Sequence, residues 1–340
     1  MTALQTQLDV RRYGPDDTAA VAAVADLVTA AREVDSPRAH PVTAAFWEGR
    51  LRHGWDGETP LTYLATLPGT DEVVVAGELE VGEWDNRHLA WIDVQVHPTH
   101  RRRGYGTAML HHLEAEARRL GRTTLGVGGW EGAPVGEFAL RHGYAPSYVE
   151  AVRRQRLTAV DLTDLEVRYV AAQAAAADYE LLRMPGRTPA AMLPQLATMV
   201  AAINDAPTDD LDMEDEQYPP ERVAAYEEAQ EARGHRLYRV VARHRETGDL
   251  AGHTVVVVET ARPGLGAQHD TSVVRAHRGH RLGYLLKAEM VRWLREVEPD
   301  LVEVDTGNAA SNDHMVAINE ELGYELIGRQ LCFQRKLAEG

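Results

Sequence analysis

The segment Val96-His97-Pro98-Thr99-His100-Arg101-Arg102-Arg103-Gly104-Tyr105-Gly106-Thr107 joins an apolar, β-branched run to an amphipathic one. Upstream, His88 to Val96 reads as a strand; downstream, Met109, Leu110, Leu113, Ala117 and Leu120 fall on one helical face until Gly121 stops the run. A glycine-bearing turn between a strand and a helix is an anion cradle. The first amides of a helix have no intrahelical acceptor, the dipole favours negative charge there, and Gly104 and Gly106 let the backbone approach a bulky phosphate without a Cβ in the way. The three consecutive arginines add attraction for that charge.

The turn occurs twice. His100-Arg101 recurs as His277-Arg278, Gly106 as Gly283 and Asp93 as Asp270, each 177 residues further on, and Gly143-Tyr144 recurs as Gly323-Tyr324 at a spacing of 180. One register kept over four positions indicates an internal duplication. Around the first turn, Val73 to Ala76 and His88 to Val96 are predicted to pair antiparallel across Trp84-Asp85-Asn86, with Thr123 to Val127 as the next strand. The second copy repeats the pattern. Its predicted strands are Tyr238 to Ala242, Gly252 to Val258, Thr271 to Val274 and Leu301 to Val304, with a helix carrying Leu282, Leu286, Met290 and Trp293 before the last. A crossover helix between neighbouring strands predicts an α/β (α+β) fold with a mixed sheet in each copy. The alanine-rich run Ala171 to Ala177 has high helix propensity and reads as a connector. The expected division is therefore 1–160, a helical connector over 161–178, and 179–340.

With 340 residues, 44% of them hydrophobic, the chain is long enough for two cores. A formal charge of −16 disfavours nucleic acid and anionic membranes as partners and favours a cationic small molecule. Met1 to Tyr13 holds no apolar run of the signal-peptide kind, and no stretch approaches the roughly 20 apolar residues of a membrane span. Cys332, the single cysteine, excludes an intramolecular disulfide and a cysteine-rich zinc site, and reads as a small core residue. A cytoplasmic protein is expected. His97 with His100, and the adjacent His111-His112, lack the companion ligands of a zinc site, so no metal is expected.

Arg101-x-x-Gly104-x-Gly106 after Val-x-Pro, with Phe138 and Gly143-Tyr144 downstream, resembles the coenzyme A signature of GCN5-related N-acetyltransferases. His277 to Gly283, followed by Asn312 to Asn319 and Leu322-Gly323-Tyr324, looks like a second copy, so nearly the whole chain is similar to tandem, actinobacterial-type members of that family. The resemblance implies a sheet whose central parallel strands splay apart to admit the pantetheine arm of acetyl-CoA. The implied cofactor contacts are the main chain of Val94 and Val96, and Arg101, Arg102, Arg103, Gly104, Tyr105, Gly106 and Thr107 around the pyrophosphate. In the second copy they are Thr271, Val273, Arg278, Gly279, His280, Arg281, Leu282, Gly283 and Asn312, with Arg281 standing where the family's first glycine belongs.

The implied activity is transfer of an acetyl group from acetyl-CoA to a primary amine of a small molecule. For the base, Glu80 is the first candidate, with Glu78 on the same strand; Asp270 and His269 are the candidates in the second copy. The tyrosine that many relatives use as acid falls on Ala139 and Asn319, neither of which can protonate a thiolate, and Tyr144 and Tyr324 read as core. Those missing tyrosines favour the rival reading, a catalytically silent acyl-CoA sensor or a protein that sequesters its ligand. The acidic run Asp205, Asp209, Asp210, Asp212, Glu214, Asp215 and Glu216 reads either as a solvated face or as a lid that draws a cationic amine to the second domain.

Overall fold

The computed structural model describes residues 8–337, so Met1 to Gln7 of the N-terminal stretch lie outside the described residues. The elements run β1 (Asp9–Tyr13), α1 (Thr18–Asp35), α2 (Ala44–His53), β2 (Leu61–Thr66), β3 (Val73–Val81), β4 (Leu89–Val96), α3 (Tyr105–Arg119), β5 (Thr124–Trp130), α4 (Val135–Arg141) and β6 (Ala145–Arg156). They continue with α5 (Leu162–Ala175), β7 (Tyr179–Pro185), α6 (Leu193–Val200), α7 (Pro220–Ala232), β8 (His235–His244), β9 (Leu250–Glu259), β10 (Leu265–Val273), α8 (Leu282–Val297), β11 (Glu303–Ala309), α9 (Asp313–Glu321) and β12 (Tyr324–Lys336). Among the described residues no helix is long and apolar enough to cross a membrane.

In the first unit the strand order is β1-β2-β3-β4-β5, completed by Gln330 to Lys336 of β12 against β5. Every pairing is antiparallel except β4 with β5. Helix α3 lays Met109, Leu110, Leu113 and Ala117 on one face of this sheet, against Leu79, Ile92 and Val127. Helix α1 covers the other face with Val21, Val24 and Val28, packed near Leu64 and Ala76. Each large apolar side chain buried this way contributes about 1.5–3 kcal/mol, which outweighs the modest helix propensity of the valine-rich α1. Asp17 starts α1 by accepting from Ala20 N at 3.1 Å.

In the second unit the order is β6-β11-β10-β9-β8-β7, with β10 and β11 parallel. Leu286, Met290 and Trp293 of α8 share one core with Leu165, Tyr169 and Ala172 of α5. The segment expected to be a connector is therefore a packed helix of this unit. The units are also not contiguous in sequence: one takes the chain up to Val149, Thr208–Asp215 and Gly328 onward, the other Glu150–Pro207 and Glu216–Ile327. This corrects the expected cuts near 160 and 179. The physical cause is edge satisfaction. The far side of β5 is paired by the chain's last strand, and the far side of β11 by Glu150 to Arg156 of β6. Strand β10 begins earlier than predicted because Leu265 to Asp270 lacks apolar alternation, and β11 begins at Glu303, just after the apolar pair Leu301-Val302.

Candidate functional site

Strands β4 and β5 pair only from Leu89↔Thr124 to Ile92↔Val127. Beyond that point β4 stays with β3 as far as Val96↔Val75, while β5 stays with β12 as far as Trp130↔Gln330. The two parallel strands part, and a cavity of about 780 Å³ opens between them. Val94, Val96, Arg101, Arg102, Gly104, Tyr105, Gly106, Thr107 and Glu80 all line it. Arg103 does not, because its guanidinium turns back to Thr99 O at 3.3 Å.

The turn has the shape of an anion cradle. Gly104 holds φ at 84° before the first turn of α3, a left-handed value that suits glycine. No side chain caps the helix, and its first bond is Ala108 N to Gly104 O at 3.0 Å, so the amides of Tyr105, Gly106 and Thr107 lack helical acceptors. A Cβ on Gly106 would sit 3.3 Å from Val96 Cγ2, crowding the cradle. Arg101 has a different task from the expected one. It donates from Nε to Val96 O at 3.3 Å and from both Nη atoms to Asp35 at 2.7 Å, so it fastens the turn.

The second turn keeps the same backbone. Gly279 has φ 88°, Arg281 adopts the left-handed φ of 56°, and the first bond of α8 is Leu285 N to Arg281 O at 3.0 Å. The side chain at position 281 therefore strains the turn without changing its form. Arg278 donates to Val273 O at 3.0 Å and to Asp205 at 2.6 Å, repeating the pattern of Arg101. Strands β10 and β11 also part, pairing only from Leu265↔Glu303 to Ala267↔Asp305. Thr271 and Val273 lie on the parted stretch, whereas Asn312 uses its side chain to cap α9 at Met315 N, 3.1 Å away. Leu282 is in the core and His280 lies against the ring of Tyr179.

On the α1 side of the first sheet, Glu78, Glu80 and Asp93 line the cavity together, and Arg50 of α2 forms ion pairs with both glutamates. Glu78 is 6% exposed and its Oε2 has no hydrogen-bond partner. Burial holds the Glu78 carboxyl well above its ordinary range; Arg50 opposes the shift and Glu80 adds to it. Burial raises Asp93 as well, against a hydrogen bond from Gln95. Trp47, Trp91 and Trp130 supply flat walls. Neither Arg50 nor Trp47 was singled out in the sequence, since residues 14–60 carry no chemical motif; the available signal was an Arg and a Trp three apart on one helical stripe. Cys332 lines the cavity half-buried, which corrects its reading as a core residue.

In the second unit Asp270 lies in an irregularity of β10 between Gln268 and Thr271. Burial pushes its carboxyl up to about 6, with Glu216 adding and Arg239 opposing. His269 sits 2.5 Å from the Tyr226 hydroxyl, and burial pushes it down to about 3. The acidic run divides. Asp205 holds Arg275 and Arg278, whereas Thr208–Asp215 belongs to the first unit, where Asp212 accepts from Thr124 Oγ1 at 2.9 Å and Glu214 N donates to Asn86 at 2.7 Å. A lid over the second domain is not what this run forms.

Residues 25–144 match the Acetyltransferase (GNAT) family. Over 109 residues the chain is 31% identical to the L-methionine sulfoximine/L-methionine sulfone acetyltransferase of Salmonella typhimurium (strain LT2), covering 29% of this chain and 63% of that enzyme. The chain thus spans less than two thirds of that relative's length. A tandem GNAT protein from the clavulanic acid biosynthesis pathway superimposes with a TM-score of 0.79 at 27% identity, covering 98% of this chain and all of that one. A GCN5-related N-acetyltransferase from Sphaerobacter thermophilus shares the fold, with a TM-score of 0.66 at 18% identity over 98% of this chain and 96% of its own. Residues 25–144 carry an acetyltransferase (GNAT) domain, and with parted parallel strands above a glycine turn in both units the chain is a tandem GNAT protein.

Proposed function

We propose that the first unit transfers an acetyl group from acetyl-CoA to the amine of a small, amino-acid-like molecule. The observation that carries this reading is the parting of β4 from β5 directly between the α3 amides and the Glu78, Glu80 and Asp93 carboxylates. Acetyl-CoA fits the residues present: free amides at the α3 turn for the pyrophosphate, unpaired main chain at Val94 and Val96 for the pantetheine, and apolar side chains around the thioester.

An ammonium entering from the α1 side meets three carboxylates against Arg50, so a cation is favoured there. Glu80, the more exposed of the pair, takes the ammonium proton. The freed nitrogen then attacks the thioester carbonyl, the C–S bond breaks, and the thiolate leaves with a proton from water; its low basicity makes a dedicated acid less necessary, which suits a buried Ala139. The relative's acceptors, methionine sulfoximine and methionine sulfone, motivate the amino-acid-like class.

The experiment is thiol release from acetyl-CoA by the full chain against a panel of amines that includes those two compounds, with the acetylated product identified by mass. Amine-dependent release, reduced about a hundredfold in Glu80→Gln, is expected. Tight coenzyme A binding with no turnover on any amine would instead establish the sensor reading.

A further inference from the structure

In the first unit the floor of the opening is apolar: Ile92, Val127 and Leu110 line the cavity and pack together against α3. The second unit differs at this place. Lys287 of α8 stands 177 residues after Leu110 and is 2% exposed, while Gln268 and the buried Thr306 follow directly on the last paired residues of β10 and β11. Lys287 Nζ lies 3.3 Å from Gln268 Oε1 and 4.8 Å from the centroid of the Tyr324 ring.

The orientation of Gln268 is locked. Its Nε2 donates to Val255 O at 2.6 Å and to Thr254 Oγ1 at 2.9 Å, so its oxygen must face Lys287. Thr254 Oγ1 in turn meets Thr271 Oγ1 at 2.7 Å, which links the amine to the stretch of β10 that has parted from β11. An ammonium has three donors, and Lys287 meets one acceptor and one aromatic face. Burial alone pulls the amine down to about 7, with no carboxylate offsetting its charge. Such a group costs several kcal/mol when charged and unpaired, and a bound anion is what relieves that cost.

We infer that the second unit takes an acyl thioester whose acyl chain ends in a carboxylate, with Lys287 as its counter-ion at the base of the β10–β11 opening. This rests on the reading that the parted strands hold a thioester arm. An acetyl group presents only a methyl to this polar floor, whereas it suits the apolar floor of the first unit. Binding of the anion returns the amine to its charged form, so the complex takes up a proton at pH 8.

The test is calorimetric titration of the full chain with succinyl-CoA and with acetyl-CoA at pH 8, in buffers of different ionisation enthalpy. Two sites for succinyl-CoA are expected, one of them preferring it over acetyl-CoA at least tenfold and taking up close to one proton. Lys287→Met should abolish both the preference and the proton uptake at that site and leave the other site unchanged. The proton uptake is read on the unaltered protein, so the inference stays testable if the variant folds poorly. Two sites with equal affinities and no uptake would overturn the role of Lys287 and leave the two-site reading standing. A single site for both thioesters would overturn the reading beneath it.

Discussion

Arg101 and Asp35 meet fork to fork, Nη1 to Oδ1 at 2.7 Å and Nη2 to Oδ2 at 2.7 Å, and the same guanidinium reaches Val96 O. Arg278 repeats the arrangement with Asp205 and Val273 O. In both units the arginine of the turn ties the end of a parted strand to a preceding helical segment. Asp35→Ala leaves a part-buried guanidinium without its partner and loosens the turn. A loss of about 1–3 kcal/mol in chemical denaturation and a roughly tenfold rise in KM for acetyl-CoA are expected, with kcat changed less. A donor KM equal to that of the unaltered protein would show that the cradle does not need this clamp.

Trp91 owes its place to Gly126. A Cβ on Gly126 would fall 2.3 Å from Trp91 Cε3, in the ring itself. Gly126→Ala must therefore displace the indole from the cavity wall, destabilising the protein by about 1–3 kcal/mol. Because Trp91 lies opposite Glu80 in the β3–β4 register, the acceptor KM should rise more than the donor KM, which steady-state kinetics with both substrates varied will resolve.

The Glu78 carboxyl, raised by burial, sets the acid side of the pH profile. As pH falls through its raised value it takes a proton, the acid cluster loses a charge, and kcat/KM should fall with it. Glu78→Gln removes that limb and lowers the plateau. The same shift makes the folded state bind more protons than the unfolded one just above the ordinary glutamate range. Stability therefore falls as pH rises through that window, and the variant lacks this slope. A variant whose acid limb is identical to that of the parent would assign the limb to another group.

Lys287 gives a slope of opposite sign. Its amine sits near 7 when folded against 10.5 when free, so between those values the unfolded chain binds the extra proton. Stability rises with pH over that range, by at most about 1.4 kcal/mol per pH unit. Lys287→Met lacks the slope and should be the more stable protein at pH 7, the gap closing toward pH 10. Denaturant midpoints of the two proteins across that range measure it directly.

Asp212 is part of the first unit's fabric. Its carboxylate accepts from Thr124 Oγ1 and lies 3.2 Å from Lys336, with its range held down chiefly by the threonine hydrogen bond. Asp212→Ala should cost about 1 kcal/mol of stability with acceptor KM unchanged. A raised KM for a cationic acceptor, at unchanged stability, would return the acidic run to the role of substrate attractor.

Much of the molecule was legible in its residues. The antiparallel β3–β4 pair, the helix ended by Gly121, the crossover to β5 and the repeat of all three 177 residues later follow from period-two and period-3.6 patterning with turn chemistry at the joints, which are local properties of the chain. The residues lining the opening were named for the same reason: a glycine turn at a helix start advertises free amides wherever it folds. Arg50, Trp47 and Asp35 were not named, because nothing in an amphipathic helix states which sheet face it will cover.

The sequence by itself determined the duplicated strand–turn–helix unit and its anion-binding turn, since periodicity, glycine placement and unpaired helix amides need no distant partner. Tertiary structure alone decided that each sheet is finished by a strand from far along the chain, that the alanine-rich segment packs into a core, and that the turn arginines face carboxylates. It alone decided, too, that one opening is floored by leucine and the other by a buried lysine. Those outcomes depend on satisfying strand edges and burying charges across long sequence separations, and such constraints exist only once the chain has closed on itself.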